Sequence, residues 1–411
     1  MVRRVSLVVA VVAAFLLWQA ASMFQEKPLR AQSTTPPNTQ STSNPRYAFG
    51  GNAAQIPASF VHNLIFIPVR INGGTPSLFE LDSSAAHTSI EPARARELGL
   101  QISAANTVDN AVLTLTGVQL TPGSLPVIAR SNFAETTGQP AQGVLGRDFL
   151  DRVVVNVDYQ RQTVQLFDPA SFAPTADQGK SFPLTSSGPA MLLRAKADVS
   201  GHKNFEADFA INTALDSAIL FYRSFTDSKQ ISSSHFKAIS ASYPELDEGA
   251  KILVGRIKEF QLGPFAIQDV VALFSQSNPA SGNNPKIAGQ IGGDFLRRFT
   301  VVFDFPHQRL ILNPNLQINH FAEEDMSGLS ILAKGANLRT FEIVQVRSGT
   351  PGSDAGLKEG DVIAGIDDEA AADLNLSAVR DLFRQVGHQY KLLIDRHGQS
   401  LTVTIKMRRL V

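Results

Sequence analysis

The chain contains no cysteine. Disulfides, thiolate metal sites, a cysteine nucleophile and lipid attachment through an acylated cysteine are therefore excluded. Net charge is lacking too, because Lys and Arg total 37 and Asp and Glu total 37. Beyond the N-terminus there is no basic run and no aromatic-interleaved basic patch. No global charge draws the protein to nucleic acid. The histidines show no His-Glu-x-x-His or related spacing, and His87 reads as exposed rather than as a ligand. No Gly-x-Ser-x-Gly elbow, phosphate loop or dinucleotide fingerprint occurs. Neither a metal nor a cofactor is expected. What remains is a chain of 411 residues, 43% hydrophobic, long enough for two or three domains with buried cores.

The N-terminus orders basic, apolar and small residues as export signals do: Arg3-Arg4, then Val5 to Trp18, then Ala20, Ala21 and Ser22. Residues 1–25 read as a signal peptide or, if uncleaved, a membrane anchor. Either way the bulk lies outside the cytoplasm, with the arginines held inside. An exported location is expected, periplasmic or extracellular, anchored to the inner membrane if the leader stays. Membrane contact is expected only through this segment. Between Ala31 and Arg46 the chain is Ser, Thr, Pro, Gln and Asn with almost nothing to bury, and 26–57 reads as a disordered linker.

An internal repeat organises the middle of the chain. Gly143-Val-Leu-Gly-Arg-Asp-Phe-Leu-Asp-Arg-Val-Val-Val-Asn-Val-Asp158 recurs as Gly289-Gln-Ile-Gly-Gly-Asp-Phe-Leu-Arg-Arg-Phe-Thr-Val-Val-Phe-Asp304. A weaker pair precedes it. Strand 65–72, a Gly73-Gly74 turn and strand 77–81 lead into Asp82-Ser-Ser-Ala85. Their counterparts are strand 191–199, a turn at Ser200-Gly201, strand 205–211 and Asn212-Thr-Ala214. The spacing predicts two mainly β lobes made by duplication, 58–180 and 181–320, with a helix at 91–98 started by Pro92. A third unit, 327–411, predicts an α+β domain. Its helix over 377–386 carries Val379, Leu382, Phe383 and Val386 on one face and is ended by Gly387.

Leu81-Asp82-Ser83-Ser84-Ala85 fits the form apolar, Asp, hydroxyl, Gly, small at all but the Gly position, where Ser84 stands. Val144-Leu145-Gly146 adds an apolar-apolar-Gly element, with Asp148-Phe-Leu150 after it. With the duplication and the C-terminal unit, these motifs resemble the retropepsin/pepsin-like aspartic peptidases, specifically the bacterial single-chain family carrying a PDZ domain. The resemblance covers nearly all of 58–411. It implies a mainly β, duplicated, two-lobed acid-protease fold followed by an α+β PDZ domain. Two carboxylates would share one water, and since like charges that close cannot both ionise, one acts as base and the other as acid.

The resemblance makes Asp82 a catalytic aspartate and Ser83 a hydroxyl that locks the two turns together. In lobe two the matching positions are Asn212 and Thr213, with Ala214 where Gly is usual and Gln290 replacing an apolar residue. Asn is neutral and has no proton to exchange at a useful pKa, so the acid half of the pair is missing. Asp216 is a carboxylate of the right type, but four residues of chain can carry it roughly 13 Å along from position 212. Asp208 fails in the same way. Read without the resemblance, Asp82 is a turn carboxylate accepting backbone N–H groups.

A PDZ domain captures an extended chain as an added strand. The resemblance puts that capture at Leu338, Arg339, Thr340 and Phe341, facing the helix that begins near Ser377. The expected function is binding of extended peptide or unfolded protein segments by a member with a degenerate Asp/Asn pair. The alternatives are an active endopeptidase working through water at Asp82, and an envelope scaffold in which the PDZ groove alone binds.

Overall fold

The computed structural model describes residues 43–48, 54–199, 202–231, 236–242, 251–277, 284–319 and 323–411. The expected leader and the linker up to residue 42 lie outside the described residues. So do the lobe-two turn at 200–201 and residues 49–53. Among the described residues no helix is long and apolar enough to cross a membrane. The protein is mainly β, with strongly curled sheets.

In the first lobe, Leu64–Ile71 is a run of buried apolar residues broken only at Pro68 and Arg70, so both faces of the strand are covered. It turns back at Asn72 and Gly73, both at positive φ, into Ser77–Leu81. Gly143–Leu145 then lies parallel to Ser77–Leu81, Leu145 beside Leu81. The second lobe repeats the device: Ile287–Ile291 runs parallel to the end of His202–Ile211, Ile291 beside Ile211. Two glycines explain why the repeat keeps its form within the chain. A Cβ at Gly289 would sit 1.8 Å from the Leu220 carbonyl oxygen, and one at Gly292 would sit 2.1 Å from that of Ser217. The strands cross too closely there for any side chain.

The lobes are not separate domains. The strands that come after each repeat, Val154–Asp158 and Phe299–Asp304, pair antiparallel at the centre of one six-stranded sheet. That sheet also holds Ala54–Ile56, and Ser43–Tyr47 pairs with Val118–Thr121 on the first lobe. The expected linker over 26–57 therefore needs correction at its end. Residues with little to bury still complete a sheet edge when a neighbouring strand offers unpaired N–H and C=O groups. One core runs through both lobes, including Phe79, Leu145, Phe149, Phe209, Ile291, Phe295 and Phe303.

The C-terminal unit has its own core around Phe341, Ile343, Val379, Phe383, Tyr390 and Ile394. Its sheet runs Leu329–Lys334, Thr340–Val346, Val362–Ile366, Gln389–Arg396, Gln399–Lys406. The helix spans Leu376–Leu382, and the Asn375 side chain caps it by accepting from Ala378 N–H. It ends earlier than the apolar spacing predicts: Val386 lies beyond it and is 52% exposed. The first-lobe helix, expected over 91–98, is Pro92–Glu97.

Candidate functional site

Each parallel pairing delivers one turn to the base of a cleft. Asp82 N–H donates to Leu145 O (3.0 Å), and Asn212 N–H donates to Ile291 O (2.9 Å). The next residues cross between lobes. Ser83 Oγ donates to Ile211 O (2.9 Å) and Thr213 Oγ1 to Leu81 O (2.6 Å). Thr213 N–H donates to Ser83 Oγ (3.1 Å) and Ser83 N–H to Thr213 Oγ1 (2.9 Å). Both hydroxyl residues are fully buried, so each bond is shielded from water. The sequence brings four candidate residues together here. Ser83 and Thr213 form the lock, and Asp82 and Asn212 line the cavity above it, about 300 Å³ in volume.

The two leading side chains are held differently. Asp82 Oδ1 accepts from Ser84 N–H (2.8 Å), Ser84 Oγ (2.6 Å) and Ala85 N–H (3.2 Å). Asn212 Oδ1 accepts from Ala214 N–H (2.9 Å), while its Nδ2 donates to Gln290 Oε1 (2.9 Å). Gln290 Nε2 in turn donates to Tyr222 OH (2.8 Å). The amides at 212 and 290 are thus one feature. The amide at 212 needs an acceptor, and the amide at 290 supplies it across 78 residues of sequence.

Asp216 is engaged elsewhere. Its Oδ1 accepts from Asn63 N–H (3.1 Å) and Nδ2 (2.7 Å), and its Oδ2 lies 3.7 Å from Arg384. Burial opposes its ionisation, yet His62, Arg384 and Arg380 hold its carboxyl below the usual range. Asp208 is paired with Arg194 at 3.1 Å.

The stretch 338–341 cannot add a strand. Phe341 is fully buried in the C-terminal core, and Thr340–Val346 is hydrogen-bonded on both sides, to Leu329–Lys334 and to Val362–Ile366. Leu338 is a positive-φ turn residue, and the Arg339 guanidinium donates to Leu374 O. Of the sheet's two edge strands, the one beside Thr340–Val346 is Leu329–Lys334. That edge faces the first lobe: Lys334 pairs with Glu135 (2.5 Å), and Arg380 Nη2 donates to Thr136 O (2.9 Å). Arg380 also lines the cleft, and Ser377 Oγ meets His62 Nδ1 at 3.4 Å. A second, smaller groove, bordered by Leu329–Leu332, Arg347 and Arg384, shares Thr136, Ala214, Asp216 and Arg380 with the cleft.

Sequence reasoning missed the buried ionisable groups. Glu80, two residues before Asp82 on one strand, is fully buried and paired with Arg130 at 2.5 Å. Burial pushes its carboxyl up to about 7 against the pull of Arg130, and the Asp82 charge adds to the rise. Period-2 alternation was the available signal, since it puts Glu80 on the face of Asp82. Its partner, 50 residues away, carried none. Burial also pushes the His62 imidazole down to about 4, so it is neutral at pH 7. Glu324, joined to Ser217 Oγ at 3.3 Å, is raised to about 7 by burial, opposed first by Arg384.

A carboxyl raised in this way keeps its proton in the folded chain where the unfolded chain has released it. Glu324 thus supports folding fully below about pH 4.5, and this support disappears as the pH climbs through about 7. His62 acts oppositely between about 4 and 6.5, so a difference measurement is needed. Glu324→Gln is expected to gain on the parent by roughly 3 kcal/mol from pH 5 to 8 in urea unfolding. A pH-independent difference would contradict the buried, protonated assignment.

No protein-family model matches the chain, and no curated protein does. Among solved structures, a photosystem II D1 C-terminal processing protease is similar over 21% of this chain and 23% of its own, with 25% identity and a TM-score of 0.19. This chain thus spans under a quarter of that protein's length. Basic 7S globulin from soybean is similar over 64% of this chain and 94% of its own, with 10% identity and a TM-score of 0.37.

Proposed function

We propose that this is an exported protein of the retropepsin-like, two-lobed type with a C-terminal PDZ domain, whose cleft binds extended peptide or unfolded protein segments without cutting them. The observation that carries this reading is the pair of interlocked turns presenting Asp82 from one lobe and Asn212 from the other. Hydrolysis by such a pair needs a base for water and an acid for the scissile carbonyl. Asp82 can serve as base. Asn212 is a neutral amide fixed by Ala214 N–H and Gln290, and it has no proton to give.

The cleft keeps what binding needs. Leu64, Phe133, Leu220, Tyr222 and Ile252 offer apolar surface, and the polar groups at its base can meet a backbone. The PDZ groove enters the same reading with its edge at Leu329–Lys334. Addition of a strand there requires that the domain move off Glu135 and Thr136.

The test uses the full chain and a library of fluorescent extended peptides from about pH 4 to 7. Saturable binding with every peptide recovered intact by mass spectrometry is expected. Cleavage abolished by Asp82→Asn would establish the endopeptidase alternative, and absence of binding would remove the cleft from the account.

A further inference from the structure

Among the described residues, three buried polar atoms on the cleft lining have no hydrogen-bond partner within the chain: Glu80 Oε1, Arg130 Nη1 and His62 Nε2. Such atoms are rare and each calls for a reason, because desolvation without a partner is costly. Two of them belong to one ion pair. Arg130 Nη2 donates to Glu80 Oε2 at 2.5 Å, and the guanidinium carbon sits over the Phe133 ring, 3.5 Å from its centroid. The pair therefore uses one oxygen and one nitrogen on itself. It leaves one acceptor, Glu80 Oε1, and one donor, Arg130 Nη1, buried and unpaired on two residues that line the cleft with Asp82.

We infer that the Glu80–Arg130 pair is a subsite for a primary amide side chain, Gln or Asn, of a peptide lying in the cleft. This rests on the peptide-binding reading above. The chemistry of the pair selects the class. An amide offers one N–H donor for Glu80 Oε1 and one carbonyl for Arg130 Nη1, and it adds no charge to a buried, already neutralised pair. A carboxylate side chain would bring its charge against Glu80, and an ammonium would bring its charge against Arg130. An aliphatic side chain would leave both atoms unmet, and sites with buried polar groups discriminate strongly against ligands that leave them unpaired.

The test is a positional library of acetylated octapeptides, each with Gln, Asn, Glu, Lys or Leu fixed at one position, binding to the full chain at about pH 8. One position is expected to prefer Gln or Asn over Leu by about 10-fold or more, the effect of bonds to charged groups. Glu80→Gln supplies the decisive arm. Its carbonyl can still accept from Arg130, but the atom now unpaired becomes an N–H donor. The subsite then presents two donors, and its preference should invert from Gln to Glu. A wild-type chain that binds the library with no amide preference overturns the inference and leaves peptide binding standing. The same preference in Glu80→Gln as in the wild type also overturns it. Failure to bind any member removes both readings together.

Discussion

Asn212→Asp is expected to turn the cleft into a working hydrolytic site. The substitution keeps size and shape, and the new carboxylate would inherit the Ala214 N–H bond now made by Asn212 Oδ1. Its other oxygen would face Gln290. Gln290 can adapt by rotating its amide so that Nε2 donates to the carboxylate and Oε1 accepts from Tyr222 OH. The hydroxyl lock at Ser83 and Thr213 is untouched, so the carboxylates at 82 and 212 would stand side by side, and one would keep a proton because both cannot ionise. General acid catalysis is worth about 10²- to 10⁴-fold, so turnover of a denatured protein should rise at least 100-fold over the parent. The rise should be greatest at acidic pH, where the pair holds one proton, and Asp82→Asn should abolish it. A folded variant that binds peptides but releases no fragments would mean that the cleft lacks the geometry for in-line attack by water.

The second large effect concerns the contact between the C-terminal unit and the lobes. Arg384 lies among Asp216, Glu324, Asp381 and Asp294; burial works against its charge, but Asp216 and Glu324 more than offset this. Arg384→Met keeps the length and apolar stem while removing the cation. Asp216 then stays partly buried without its cation, a change that costs about 3–5 kcal/mol for a fully buried pair. About a quarter of the Arg384 side chain is exposed, so solvent screening puts the expected loss near the low end. The unit has its own core, so it should come off folded. Calorimetry should show one transition splitting into two, and protease should gain access to the segment before Met326. A single transition at the parent temperature would mean that the Lys334–Glu135 pair and the Arg380 bond to Thr136 O suffice to hold the unit.

The candidate site was legible where chemistry repeats at short range. The turns around Asp82 and Asn212 could be aligned because the same strand, turn and glycine pattern occurs twice, and their hydroxyls do meet across the lobes. The strand expected at a free sheet edge, from 338 to 341, lies inside the sheet for a related reason. Thr340–Val346 and Leu329–Lys334 both alternate as strands, and alternation cannot say which of two strands lies at the edge. Ser43–Tyr47 and Ala54–Ile56 were hidden because each is short, with little more than Tyr47 and Ile56 to bury, and gains its order by pairing with Val118–Thr121 and Thr163–Phe167.

The amino-acid sequence by itself determined the duplication, the crossing glycines and the presence of an amide, Asn212, at the position in the second repeat that answers to Asp82 in the first. These are properties of residue identity and local period, and no packing can change them. Only the tertiary structure decided that Gln290 is the partner of Asn212, that Glu80 is buried against Arg130, and that the C-terminal sheet turns its edge toward the lobes. Those depend on desolvation and on hydrogen bonds between distant residues. A side chain's chemistry is written in the chain, but whether water can reach it is set by everything packed around it.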